Sequence, residues 1–321
     1  MQQLKTRLWT DWNASCNLIN DEPAIVNLSS RSDLDFPRLN LRDSGAAMDY
    51  VWAWLNVNTR CIFYRVRAAR SDPDNLTLCP ILEMANHFWG QTHISPVIDS
   101  ELWDVRARKK KDFVFLSCAD APIEQGQELL LHYGSHSNKT LFVEYGFVNR
   151  ISRNAIATGK YDGELDVQDL VEKMFVDRGS LGSWMKTVLE DEGYWGDWTL
   201  HSSPARPSYR LIVALRLYNV FEGISSIPVE ANASLITWRD VLKGHAYTIS
   251  QDNETKWRGS VLRICDLVIE RADGHMQNLK ASCSEGQGWL GWMEDNIRIL
   301  WMEESEVARA VADSIRAGEE F

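Results

Sequence analysis

Apolar and polar positions alternate differently in the two halves of the chain. From Met48, Val51, Trp52 and Leu55 recur at helical spacing, and Ile62 follows at the end of the run, so a buried helix is expected to lead into an apolar stretch at 61–66. Strand-like runs rich in aliphatic and aromatic residues follow at 76–82, 113–118 and 127–133. Turns are read at 72–75 and at Glu124, Gln125 and Gly126. Ser137 suits the N-cap of a short helix over 138–145, and Gly146 suits its left-handed termination. Beyond residue 160 the period becomes helical, with segments expected at 164–176, 180–192, 207–221, 233–244, 252–272 and 289–317. The fifth is the clearest, because Trp257, Val261, Ile264, Cys265 and Val268 form one apolar stripe. Pro207 falls where a first-turn proline is tolerated. Residues 1–45 show polar, loop-like clusters at 27–33 and a break at Phe36 and Pro37, and do not read as a complete domain.

Composition narrows the function classes. The 321 residues are 45% hydrophobic and 25% charged, with fourteen tryptophans, which excludes disorder throughout and provides for a sizeable core. A net charge of −11 and a pI near 5.2 have the wrong sign for general binding of nucleic acid. No apolar run approaches the roughly 20 residues that cross a bilayer, and the first residues lack the apolar core of a signal peptide. The expectation is an intracellular protein of the cytoplasm, the nucleus or both, with no membrane partner. Cys16, Cys61, Cys79, Cys118, Cys265 and Cys283 stand singly, without metal-ligand spacing, so reduced thiols and no metal are expected.

Several motifs have plainer readings. The run GQGWLG at 286–291 has no strand before it and reads as a helix-leading loop rather than a dinucleotide site. The basic run RARKKK at 106–111 reads as a solvated hairpin tip rather than a nuclear address. Asn86 and His87, taken alone, suit a turn with a satisfied core histidine. Tyr133, Tyr145 and Phe147, taken alone, suit the core.

Their order changes that reading. Asn58, Thr59 and Arg60 are followed by Pro80 to Asn86 and His87, then by EQGQE at 124–128 leading to Tyr133 and Gly134. Ser137, Asn138 and then Tyr145, Gly146 and Phe147 complete the succession. Over residues 48–150 this resembles the SET-domain methyltransferases, and within them the group typified by Rubisco large-subunit methyltransferase and the fungal ribosomal-protein lysine methyltransferases. The resemblance implies an α+β fold: a SET domain of small β-sheets with a helical insertion, followed by an all-α substrate-binding domain. It divides the chain into a partial helical insertion and linker at 1–47, a SET core at 48–155 and a helical domain at 156–321. It also implies transfer of a methyl group from S-adenosyl-L-methionine to a side-chain nitrogen of a protein substrate, usually lysine and in one branch histidine. Arg60, Asn86, His87 and Phe147 would then hold the cofactor, Tyr145 would line the substrate channel and Tyr133 would be the catalytic tyrosine.

The residue types suit that chemistry. In-line methyl transfer needs alignment of a neutral amine more than a nucleophile of the enzyme's own. Aromatic faces attract sulfonium and ammonium groups and exclude water that would keep the amine protonated. The acidic surface suits a basic protein substrate.

The chain departs from the family in two places. Gly45 and Gly90 are its only glycines before residue 100, so the family's glycine-rich cofactor lobe is not matched, and the chain is expected to start inside the helical insertion. Glu83 stands where the family often has aspartate. The alternative reading is a catalytically inactive interaction module on the same fold.

Overall fold

A computed structural model describes residues 2–21, 44–63, 75–90, 92–96, 114–117, 123–134, 136–158, 161, 163–224, 226–228, 231–282 and 288–321. The chain divides into two compact units, Met1–Asn149 and Arg150–Phe321.

The first unit opens with two helices, α1 (Gln2–Asp21) and α2 (Ser44–Arg60). The polar texture of residues 1–45 gives no clear helical period, although the resemblance implied helix within 1–47. The contacts that hold α1 come from α2 instead. Trp54 is buried and donates its indole N–H to Asp11 at 2.8 Å, the Arg7 guanidinium lies over its ring at 5.1 Å, and Trp12 meets Tyr50 edge-on. After α2 come β1 (Ile62–Phe63) and its antiparallel partner β2 (Leu76–Thr77). The expected strand at 76–82 stops after two residues. Pro80 has no N–H for a ladder, Ile81 adopts φ 80°, and Leu82–Met84 close a 3₁₀ turn.

Then follow β3 (Asn86–His87), β4 (Ile94–Pro96), β5 (Phe115–Ser117) and β6 (Leu130–Leu131), in the sheet order β3-β6-β4-β5. β6 runs parallel to both β3 and β4, and β4 pairs antiparallel with β5. α3 (Asn138–Thr140) runs into a π-helical turn, Leu141–Tyr145. The Ser137 hydroxyl accepts the Thr140 N–H, and Gly146 at φ 83° ends the turn, as the spacing implied. Ala85, Leu131, Leu141 and Val148 form the small apolar core, together with the fully buried Asn138.

The second unit contains α4 (Arg153–Ala157), β7 (Glu164–Asp166), α5 (Gln168–Val176), α6 (Gly179–Asp191), β8 (Thr199–Ser202) and β9 (Ala205–Pro207). α7 (Tyr209–Val220), α8 (Ala231–Leu242), α9 (Gln251–Ser282) and α10 (Gly288–Arg316) complete it. The six expected helical segments are present, but the unit is not all-helical. β7, β8 and β9 form an antiparallel sheet in that order. Strands this short hold too few alternating positions to announce themselves, and β7 finds β8 only after α5 and α6 have intervened. Pro207 accordingly ends a strand, and Ser208 caps α7 by accepting the Leu211 N–H.

The core of this unit is large and apolar: Trp198, Trp238, Trp257, Phe175 and Phe221 are all buried, and the α9 stripe from Trp257 to Val268 faces it. Each such side chain contributes about 1.5–3 kcal/mol. Inside it, Arg216 and Glu254 pair at 2.8 Å, and the second carboxylate oxygen of Glu254 accepts the Trp257 indole N–H.

Among the described residues no helix is long and apolar enough to cross a membrane, and no cluster of three metal-binding side chains occurs. Cys16, Cys61, Cys79 and Cys265 are free thiols. The runs 27–33 and 106–111, Phe36, Pro37, Cys118, Cys283, Gly286 and Gln287 lie outside the described residues, and residues 288–291 open α10.

Candidate functional site

The six residues singled out from the sequence converge in the first unit. Arg60 is the last residue of α2, which aims its guanidinium at the segment between the 3₁₀ turn and β3. Its Nη1 donates to the carbonyls of Glu83 at 3.0 Å and Ala85 at 3.4 Å, to the Asn86 Oδ1 at 3.1 Å and to the Tyr133 hydroxyl at 3.1 Å. Tyr133 Oη donates in turn to the Ala85 carbonyl at 2.8 Å. One guanidinium therefore joins the α2 terminus, the start of β3 and the second residue beyond β6. Asn86 completes its side of the cluster by donating to Glu128 Oε1 at 2.5 Å.

Aromatic rings form the adjoining wall. His87 lies 5.3 Å from Tyr133 and 5.7 Å from Phe147, and Tyr145 lies 5.3 Å from Tyr133 and 6.1 Å from Phe147. The segment carrying Tyr145 and Phe147 is fixed from behind. Asn138 Oδ1 accepts the Asn149 N–H at 2.6 Å, and Asn138 Nδ2 donates to the Asn149 carbonyl at 3.3 Å.

The titrating groups are held neutral. Burial pushes the Tyr133 hydroxyl up, against the pull of the Arg60 guanidinium, and burial likewise raises Tyr145. His87 is lowered to about 4, mainly by burial, with the neighbouring His132 acting in the same direction. A neutral phenol and a neutral imidazole among aromatic faces offer no charged base and no activated nucleophile. They offer hydrogen bonds of fixed direction and surfaces that attract an onium group.

Sequence reasoning did not find the Ala85 carbonyl, which carries no side-chain signal, nor His93, and it named Glu128 only within the run 124–128, without a role. Only the pairing of β6 with β3 and β4 brings Glu128 and His93 close. The second unit has a groove lined by Arg153, Asp273, Met276, Gln277, Arg298 and Met302. Its charges are already paired, Arg153 with Glu306, Asp273 with Arg309 and Arg298 with Asp295. The cluster around Tyr133 is the stronger candidate.

Comparison with known proteins points to one group. The chain is 27% identical to SET domain-containing protein 4 of Mus musculus over 267 residues, 82% of the chain and 53% of that protein. It is 31% identical to ribosomal lysine N-methyltransferase set11 of Schizosaccharomyces pombe over 169 residues, 52% of the chain and 35% of that protein. It is 30% identical to ribosomal lysine N-methyltransferase 2 of Saccharomyces cerevisiae over 179 residues, 53% of the chain and 33% of that protein. Its homologues are thus SET domain-containing protein 4 and fungal ribosomal lysine N-methyltransferases. The chain spans between a third and about half of the length of these relatives. No family model and no solved structure matches it.

Proposed function

We propose that the chain belongs to an S-adenosyl-L-methionine-dependent protein-lysine methyltransferase, with its chemistry at Tyr133. The observation that carries the reading is the fixing of the Tyr133 hydroxyl between Arg60 and Ala85, beside the ring wall of His87, Tyr145 and Phe147. Two relatives bear the name ribosomal lysine N-methyltransferase, so a basic ribosomal protein is the substrate class to test first.

The donor set suits the cofactor. Asn86 offers an amide, His87 and Phe147 offer ring faces, and no anionic base stands among the ring residues to compete for a sulfonium. When bound, S-adenosylmethionine supplies an activated methyl group on that sulfonium. Asn86, His87 and Phe147 would hold it, with Arg60 acting through the Asn86 side chain that it fixes. Tyr145 would flank the incoming lysine, excluding water so that the amine stays neutral. Tyr133 accepts from Arg60 and donates to Ala85, so its oxygen has a set direction and does not ionise to act. Its role is to orient the amine nitrogen at attack distance.

Calorimetric titration of the chain with S-adenosylmethionine tests the reading, with the Asn86→Ala variant as control. Saturable binding that the variant loses, followed by transfer of labelled methyl groups to ribosomal proteins, is the expected result. A well-folded chain that neither binds nor transfers overturns it.

A further inference from the structure

β6 is only two residues long, yet its edges are engaged well beyond it. On one side the Asn86 N–H donates to the Leu129 carbonyl at 2.9 Å and the Phe88 N–H to the Leu131 carbonyl at 3.1 Å. On the other the His93 N–H donates to the Leu130 carbonyl at 3.1 Å. Two backbone donors of this segment are met by imidazole rings instead of carbonyls. Leu130 N–H donates to His93 Nδ1 at 3.2 Å, and Tyr133 N–H donates to His87 Nδ1 at 3.1 Å.

Both rings stand where a ladder carbonyl would if the neighbouring strand continued. A buried N–H without an acceptor is costly, so the rings complete a sheet whose strands stop short. Nδ1 accepts only when the imidazole is neutral and its proton is on Nε2. The two hydrogen bonds therefore fix Nδ1 as the acceptor atom of His87 and of the buried His93, and at His87 the bond does so although the buried Nε2 has no hydrogen-bond partner among the described residues. The His87 ring also packs against the Tyr133 and Phe147 rings, so its Nδ1 is held in place on the Tyr133 side.

We propose that His87 and His93 are positioning residues, imidazoles that set the height of Tyr133 by holding its N–H and that of Leu130 through Nδ1. The kinetic consequence rests on the methyl-transfer reading, and the positioning itself does not. Displacing an aligning group lowers turnover more than ligand affinity. Asparagine at either position places Oδ1 close to where Nδ1 stands, whereas leucine removes the acceptor.

The test uses the full chain and its His87→Asn, His87→Leu, His93→Asn and His93→Leu variants. Nitrogen NMR of the wild-type imidazoles is expected to show Nδ1 bare and Nε2 protonated in both rings. Amide exchange at Tyr133 and Leu130 is expected to stay slow in the asparagine variants and to quicken about tenfold or more in the leucine variants. In the His93 variants, which lie outside the cofactor residues, turnover is expected to follow the same split, with the dissociation constant for S-adenosylmethionine within about twofold of wild type. An Nδ1-protonated tautomer in either ring, or unchanged exchange in folded leucine variants, overturns the proposal. If leucine prevents folding, the tautomers and the asparagine variants decide. Correct tautomers and exchange in a chain without methyl transfer would uphold the positioning and sink the catalytic reading.

Discussion

Arg60 and Tyr133 meet through a 3.1 Å hydrogen bond from the guanidinium Nη1 to the phenol oxygen, although 73 residues separate them in the chain. The same nitrogen holds two carbonyls and the Asn86 amide oxygen, so the bond belongs to a cluster with its own stability. Tyr133→Phe removes one hydroxyl and leaves Arg60 bonded to the Ala85 carbonyl that the hydroxyl served. The expected loss of stability is about 1 kcal/mol, readable as a small shift of the urea midpoint. Methyl transfer is expected to fall about a hundredfold or more, measured as kcat with labelled cofactor.

Arg60→Lys is expected to behave differently. All four acceptors crowd the one nitrogen Nη1, and a lysine stem is one bond shorter, so its ammonium keeps the charge but stops short of the point where they meet. Stability is expected to fall by about 1–3 kcal/mol, and S-adenosylmethionine affinity to fall with it because Asn86 loses its anchor. Unchanged calorimetric affinity in a folded Arg60→Lys chain would show that Asn86 does not depend on Arg60.

His87 gives stability a pH dependence of definite sign. Its folded pKa of about 4 lies below the ordinary value of 6.5, so between those values the unfolded chain binds more protons. Stability is therefore expected to be full above about 6.5 and to decline as pH falls toward 4. The ring faces His132, His136, Tyr133 and Phe147, none of which supplies a negative charge to retain the proton. Urea titrations at pH 7 and pH 5 should differ more for the wild type than for His87→Asn.

Close packing of α5 on α6 depends on Gly182. A Cβ added there would stand 1.7 Å from the Phe175 carbonyl oxygen, backbone that cannot step aside. Gly182→Ala is expected to destabilise by about 1–3 kcal/mol, although alanine is the better helix former by about 1 kcal/mol. A thermal midpoint equal to or above wild type would contradict the close approach.

Ile81 is the converse case. A β-branched residue at φ 80° and ψ −52° is strained, and its side chain is 83% exposed, so little burial is lost by removing it. Ile81→Gly is expected to raise stability by about 1 kcal/mol, while Ile81→Val leaves it unchanged.

The sequence by itself determined the elements whose signals are local. Ser137 and Gly146 bound their helical turn because capping and left-handed termination involve only a few neighbouring residues. The Trp257 to Val268 stripe located its helix because a period of 3.6 shows within one turn and is reinforced over several. The order of Arg60, Asn86, His87, Tyr133, Tyr145 and Phe147 picked out the group of homologues, since a succession of residue types is read directly from the chain. Tertiary structure decided the rest. The sheet of β7, β8 and β9 was invisible because strands of three or four residues hold too few alternating positions, and β7 meets its partner only beyond α5 and α6. α1 was implied only by the family resemblance and not by its own period, because its support is Trp54 on another helix. That Arg60 serves four acceptors, and that two imidazoles stand in for ladder carbonyls around Tyr133, follows from strand pairing. Hydrogen bonds between distant segments have no period in the sequence, and only the folded chain brings their donors and acceptors within reach.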